Sequence, residues 1–176
     1  MATALIAVMR TQLHLVWSLL EHGLRGLTDE DCHWSPVADE RTATVRRDSS
    51  GAWVADWSGL ESEPYPVATI AWLTWHIGWW WTTILAHVAA SPVPERVGVV
   101  WPGGADAATA WLTDLHSHRL TLLDTLTDDD LAMVAPFPWP SRPDRTVADA
   151  VAWVNAELMK NAAEIGQLRI LRTAMS

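Results

Sequence analysis

Between residues 67 and 90 the chain carries no Lys, Arg, Asp or Glu. A run of this length exceeds the roughly 18 apolar residues that suffice for a membrane span. It therefore has two outcomes, a helix in lipid or a helix buried inside a bundle. The residue types favour the second. His76 and His87 lie on one face with threonines, and neither flank holds the cluster of basic residues that anchors and orients a span. Ile70, Ile77, Trp81, Ile84 and Val88 occupy the remaining faces, so the helix is apolar nearly all round and belongs at the centre of a soluble bundle.

Three further segments have helical periodicity, giving four in all: 3–27, 67–90, 105–126 and 146–175. In the first, Leu5, Val8, Leu13, Val16, Leu20 and Leu24 follow the helical period, and the pattern closes near Gly23 and Gly26. Leu27-Thr-Asp-Glu-Asp31 follows it, and Leu126-Thr-Asp-Asp-Asp130 follows the third segment. In each, threonine can cap a short turn whose acids sit near its positive N-terminal end. Pro64, Pro66, Pro92, Pro94, Pro102, Pro136, Pro138, Pro140 and Pro143 all fall between the helical segments. Between the first two helices, Val45 and the group Trp53, Val54 and Trp57 flank Asp48-Ser-Ser-Gly51, which reads as a short β-hairpin. A lone hairpin is marginal in water, so it is expected to lie against the bundle. The reading is an all-α four-helix bundle with this hairpin between helices 1 and 2, formed as one domain over residues 1–176.

Charge and cysteine usage narrow the partners. A net charge of −9 disfavours a phosphate-backbone ligand, which is held by clustered Lys and Arg, so nucleic acid is not expected. Much of the acid lies between Thr28 and Glu63, where Asp29, Glu30, Asp31, Asp39, Glu40, Asp48, Asp56, Glu61 and Glu63 outnumber Arg41, Arg46 and Arg47. This reads as a solvated face. Cys32, the single cysteine, allows no intramolecular disulfide, and Arg10, Gln12 and His14 interrupt the only candidate leader. A cytoplasmic protein without a membrane segment is expected.

The last helix carries an anomaly. At about 100° per residue, Trp153, Glu157, Asn161, Glu164 and Leu168 fall in one narrow arc. Trp153 and Leu168 point this arc into a core, where an ionised Glu157 or Glu164 needs a hydrogen bond, a cation or a metal. Ala148, Ala152, Ala162 and Gly166 on the opposite arc suit close helix packing, so the helix is expected to be buried on more than one side.

Among the histidines, His76 is the one that can meet this arc. With Glu157 it offers the nitrogen and carboxylate donors that divalent metals accept. His87 lies about 16 Å along the helix from His76, His14 and His22 are two turns apart, and His116 and His118 point to nearly opposite sides. These read as surface or core residues, as does Cys32. Thirteen tryptophans are the second anomaly, with Trp72, Trp75, Trp79, Trp80 and Trp81 crowded on one helix. They read as an aromatic core. The sharper reading makes Trp72, Trp79 and Trp80 the walls of a pocket above His76 that holds a flat or apolar ligand.

Thr69-Ile-Ala-Trp-Leu-Thr-Trp-His76 and the segment from Trp153 to Gly166, with the hairpin Val45-Arg-Arg-Asp-Ser-Ser-Gly-Ala-Trp53, resemble the DinB-like superfamily. Within it they resemble the branch that includes mycothiol-dependent maleylpyruvate isomerases. The resemblance covers most of the chain and implies a four-helix bundle with a crossover connection, commonly a homodimer. It implies a divalent metal, zinc or nickel, held by a histidine of the second helix and two residues spaced i, i+4 on the last. By match these are His76, Glu157 and Asn161. The isomerase branch has histidine where this chain has Asn161, and an amide oxygen is a poorer zinc ligand than imidazole. Lys160 offers Glu157 or Glu164 a cation instead.

Two functions follow. In the first, a metal at His76, Glu157 and Asn161 lowers the pKa of a bound thiol or water, supporting a transferase or isomerase assisted by a low-molecular-weight thiol. In the second, a non-catalytic bundle, binding a small ligand or acting in a stress response, keeps His76, Glu157, Asn161, Lys160 and Glu164 as a metal-free network under the tryptophans.

Overall fold

The computed structural model describes residues 4–57, 63 and 65–176. The expected helix start at Thr3, and Glu61 and Pro64, lie outside the described residues. Four long helices form: α1 (Ala4–Leu24), α3 (Ile70–Val88), α4 (Ala105–Thr125) and α6 (Val147–Met175). Between them lie two five-residue helices, α2 (Asp29–His33) and α5 (Asp128–Ala132). Thr28, Thr127 and Thr146 start α2, α5 and α6 in the same way. Each hydroxyl accepts the backbone N–H of the third helical residue, whose aspartate side chain accepts the threonine N–H in return.

The α4 N-terminus is capped from a distance. Its N-cap Gly104 has no side chain to offer, and Asp29 Oδ1 of α2 accepts the Ala105 N–H at 2.7 Å instead. An acid that reads in sequence as part of the α2 turn thus closes a long helix elsewhere.

Side-chain pairings fix the directions of the helices. Asn155 donates to the Met9 carbonyl and Arg169 to the Gly23 carbonyl, so α1 and α6 run parallel. Asn161 meets His76 while Trp153 meets Trp80, so α6 and α3 run antiparallel. Trp111 lies on Gly78, and Leu122 and Thr125 share a groove with Leu85 and Ala89, so α3 and α4 are parallel. Trp17 stacks on His116 and Arg10 pairs with Asp124, making α4 antiparallel to α1. The bundle is therefore up-down-down-up, and the connection from α3 to α4 crosses its full length. Among the described residues no helix is long and apolar enough to cross a membrane.

The hairpin forms as β2 (Val45–Arg47) antiparallel to β3 (Trp53–Ala55), with Trp57 beyond the strand. Asp48 Oδ1 accepts the N–H groups of Ser50 and Ala52, and Gly51 takes the left-handed φ of 86° that this turn needs. A second small pair, β1 (Thr42–Ala43) parallel to β4 (Val67–Ala68), was not anticipated. Three indoles tie these connections to the bundle: Trp72 donates to the Asp56 carbonyl, Trp75 to the Val99 carbonyl, and Trp101 to Thr74 Oγ1. Two of the five tryptophans of α3, Trp72 and Trp75, are accounted for by this docking, in which each ring fills core volume while its N–H holds a connection.

Two expectations about helix faces are corrected. Leu5 and Val8 of α1 are exposed, and Ile6, Met9 and Trp17 are buried with Leu13, Val16, Leu20 and Leu24. The buried residues form one stripe of ordinary width, and Leu5 and Val8 fall beyond its edge. On α6, only Ala162 of the small-residue arc is buried, while Ala148, Ala152 and Gly166 are half-buried.

Candidate functional site

His76 sits on the face of α3 turned to α6 and is 6% exposed. Its ring stacks on Trp72 at 4.6 Å between centroids, with Trp79 and Trp80 at 5.9 and 5.6 Å. Trp80, one turn along α3, donates its indole N–H to His76 Nε2 at 2.6 Å. An indole N–H can only donate, so Nε2 accepts and the ring proton sits on Nδ1. Asn161 of α6 lies 3.2 Å away on that side with its amide nitrogen toward Nδ1, leaving its Oδ1 buried without a partner. Turning the amide about its last torsion presents Oδ1 to Nδ1–H, an exchange of atoms that leaves the shape unchanged. The consistent chain is Trp80 N–H to Nε2 and Nδ1–H to Asn161. Burial, aided by the nearby Lys160 charge and opposed by the Asn161 contact, lowers the His76 pKa to about 3. The ring is neutral at physiological pH.

Glu157 and Glu164 are not buried carboxylates. Glu157 is half-buried and pairs with Lys160 at 3.3 Å, while Glu164 is exposed. Their arc runs along the edge of the core: Asn161 and Leu168 point in, and the longer acids reach out to solvent. Trp153 is half-buried and packs edge-on against Trp80 at 4.6 Å.

This donor set does not fit a zinc or nickel ion. Such an ion takes an unprotonated imidazole nitrogen and typically two further anionic or imidazole donors. Here Nε2 is occupied by Trp80, Nδ1 carries the proton, Asn161 is neutral and Glu157 is answered by Lys160. Among the described residues no three His, Cys, Asp or Glu side chains converge.

The space next to these residues is a cleft of about 460 Å³ between β4, the start of α3, and α6. Trp72 is shared between the two, stacking on His76 and lining the cleft. Leu73, Leu168 and Leu171 contribute apolar surface, and Lys160 and Glu164 contribute charge. Trp79 and Trp80 do not line it.

The sequence matches the family model of the DinB superfamily over residues 12–165, most of the chain. This chain belongs to the DinB superfamily. A comparison with curated proteins gives no match.

The matched span of this DinB-superfamily chain includes His76, Glu157 and Asn161, and the helical fold agrees with that membership. The other singled-out side chains sit elsewhere. His87 stacks on Phe137, and His118 is exposed beside Asp114. Cys32 is fully buried, and desolvation, reinforced by Asp29 and Asp31, pushes its thiol up to about 12, which removes it as a nucleophile.

Sequence reasoning missed a second buried polar group in this DinB bundle. Arg119 of α4 is 3% exposed, donates to Asn155 Oδ1 at 2.9 Å and lies over the Trp81 ring, with Nη1 lacking a protein partner. Asn155 also donates to the Met9 carbonyl and Gln12, so it joins α4, α6 and α1. Leu112, Leu115, Arg119 and Leu123 share a helical stripe, and an arginine on that stripe was the available signal.

Proposed function

We propose that this DinB-superfamily protein is a non-catalytic bundle that binds a small apolar ligand in the cleft beside Trp72. In this reading Trp80, His76 and Asn161 form a metal-free hydrogen-bonded chain where the resemblance implies a metal centre. The observation that carries it is the Trp80 indole N–H on His76 Nε2 at 2.6 Å. A metal would have to displace a ring that is itself wedged against Trp79, Trp153 and Phe137. The cleft falls in the usual size range of small-molecule sites, roughly 300–1,000 Å³.

Elemental analysis of tag-free protein tests this directly. After dialysis the expected zinc and nickel content is well below stoichiometric, and added zinc or nickel leaves the melting temperature unchanged. One ion per chain, retained on dialysis and lost in Glu157→Ala or His76→Ala, overturns the reading and restores the metal-dependent, thiol-assisted transferase or isomerase. Two further parts of the proposal are a homodimer, supported by exposed Leu15 and Leu19 on α1, and a cytoplasmic location, supported by the lone buried thiol of Cys32.

A further inference from the structure

The charges around the cleft are not balanced. Lys160 Nζ lies 3.3 Å from Glu157 Oε2, so its charge is already answered by a neighbour one turn back on α6. Glu164, one turn further on, makes no ion pair among the described residues and contributes to the cleft lining. Much of the remaining lining is hydrocarbon from Pro66, Val67, Leu73, Leu168 and Leu171. Glu164 is open to solvent on one side and borders this hydrocarbon on the other, so a cation seated on the apolar surface can gain a charge-assisted hydrogen bond from it. Desolvation, joined by repulsion from Glu157 and opposed by Lys160, raises the Glu164 pKa, as expected of a carboxylate short of a partner. The chain's net charge of −9 favours approach of cations over anions.

We infer that the cleft takes an amine-bearing apolar molecule, its ammonium group against Glu164 and its hydrocarbon along Leu73, Leu168 and Leu171. The inference rests on the ligand-binding reading above and names the chemical class of ligand. Glu164 is the specificity-determining residue, since Lys160 makes its ion pair with Glu157 and not with Glu164. The apolar contacts are common to any alkyl ligand, so the head group alone decides the ranking.

Calorimetric titration of the full chain at pH 7 with octylamine, octanol and octanoate, each below its aggregation concentration, tests the assignment. Octylamine is expected to bind about ten times more tightly than octanol, with octanoate weakest. In Glu164→Gln, an exposed substitution that leaves the core intact, octylamine is expected to fall to within about twofold of octanol. Glu21→Gln on α1, which does not line the cleft, changes the net charge equally and is expected to preserve the ranking, which separates Glu164 from the field of the whole chain. Equal binding of octylamine and octanol overturns the cation assignment and leaves the ligand cleft standing. Tightest binding by octanoate overturns it in favour of Lys160. Binding of none of the three overturns both the inference and the ligand-binding reading.

Discussion

His116 lies flat against Trp17, with ring centroids 4.2 Å apart and planes 6° from parallel. Burial first, then the charges of His14 and Arg119, lower its pKa from the usual 6.5 to about 4. Unfolding restores the ordinary value, so between these limits the unfolded chain holds more protons than the folded one. The stability tied to the neutral ring is therefore complete above pH 6.5 and lost as pH falls toward 4. Allowing for partial solvation, the loss is about 1–2 kcal/mol. His116→Phe keeps the stack and removes the titration. Its urea midpoint is expected to fall less than that of the wild type between pH 7.5 and 4.5, and equal falls would contradict the assignment. The residue scale was also the hardest to read from sequence. The pairing of His76 with Asn161 follows from the resemblance and from helical faces, but the competing Trp80 hydrogen bond depends on rotamers that spacing does not specify. Arg119 and Asn155 were missed because each meets its partners only when three helices come together.

Gly78 shows how one position governs a helix contact. Trp111 lies so close over it that a methyl group there would overlap the indole ring. Alanine is about 1 kcal/mol better than glycine in an isolated helix, yet Gly78→Ala is expected to destabilise the fold by about 1–3 kcal/mol, because overpacking at a rigid ring outweighs propensity. Equilibrium denaturation measures it, and an unchanged or raised midpoint would contradict the close approach. Elements were the most legible scale. The expected helix limits agree with the observed ones to within a few residues, since threonine caps, prolines and apolar runs are local signals. The phase of α1 was less legible, because Leu5 and Val8 fit a helical stripe as well as Ile6 and Met9 do. Which stripe is buried depends on the neighbours, and those are set by topology.

The order of the bundle was legible only through the resemblance, since periodicity gives helices but not which of them run parallel. At this scale the exposed face of α1 matters most. Leu5, Val8, Leu15 and Leu19 form a stripe pointing away from the core, with Leu15 and Leu19 at 61% and 54% exposure. The proposed homodimer would bury this apolar stripe. The double variant Leu15→Glu with Leu19→Glu is expected to convert a dimeric wild type to monomer by light scattering, with an unchanged circular dichroism spectrum. A wild type that already runs as a monomer would remove the dimer from the proposal.

The parallel packing of α1 on α6 has a further consequence during synthesis. Met9 and Asn155 are bonded across 146 positions of sequence. At about 5–20 residues per second, roughly 7–30 s separate the emergence of the two helices from the ribosome. Throughout that interval the face of α1 carrying Leu13, Val16 and Leu20 has no α6 to cover it, and α3, nearly all apolar, waits as well. The nascent chain thus presents uncovered apolar helix surface until α6 emerges, the kind of surface that makes incomplete folds prone to aggregate.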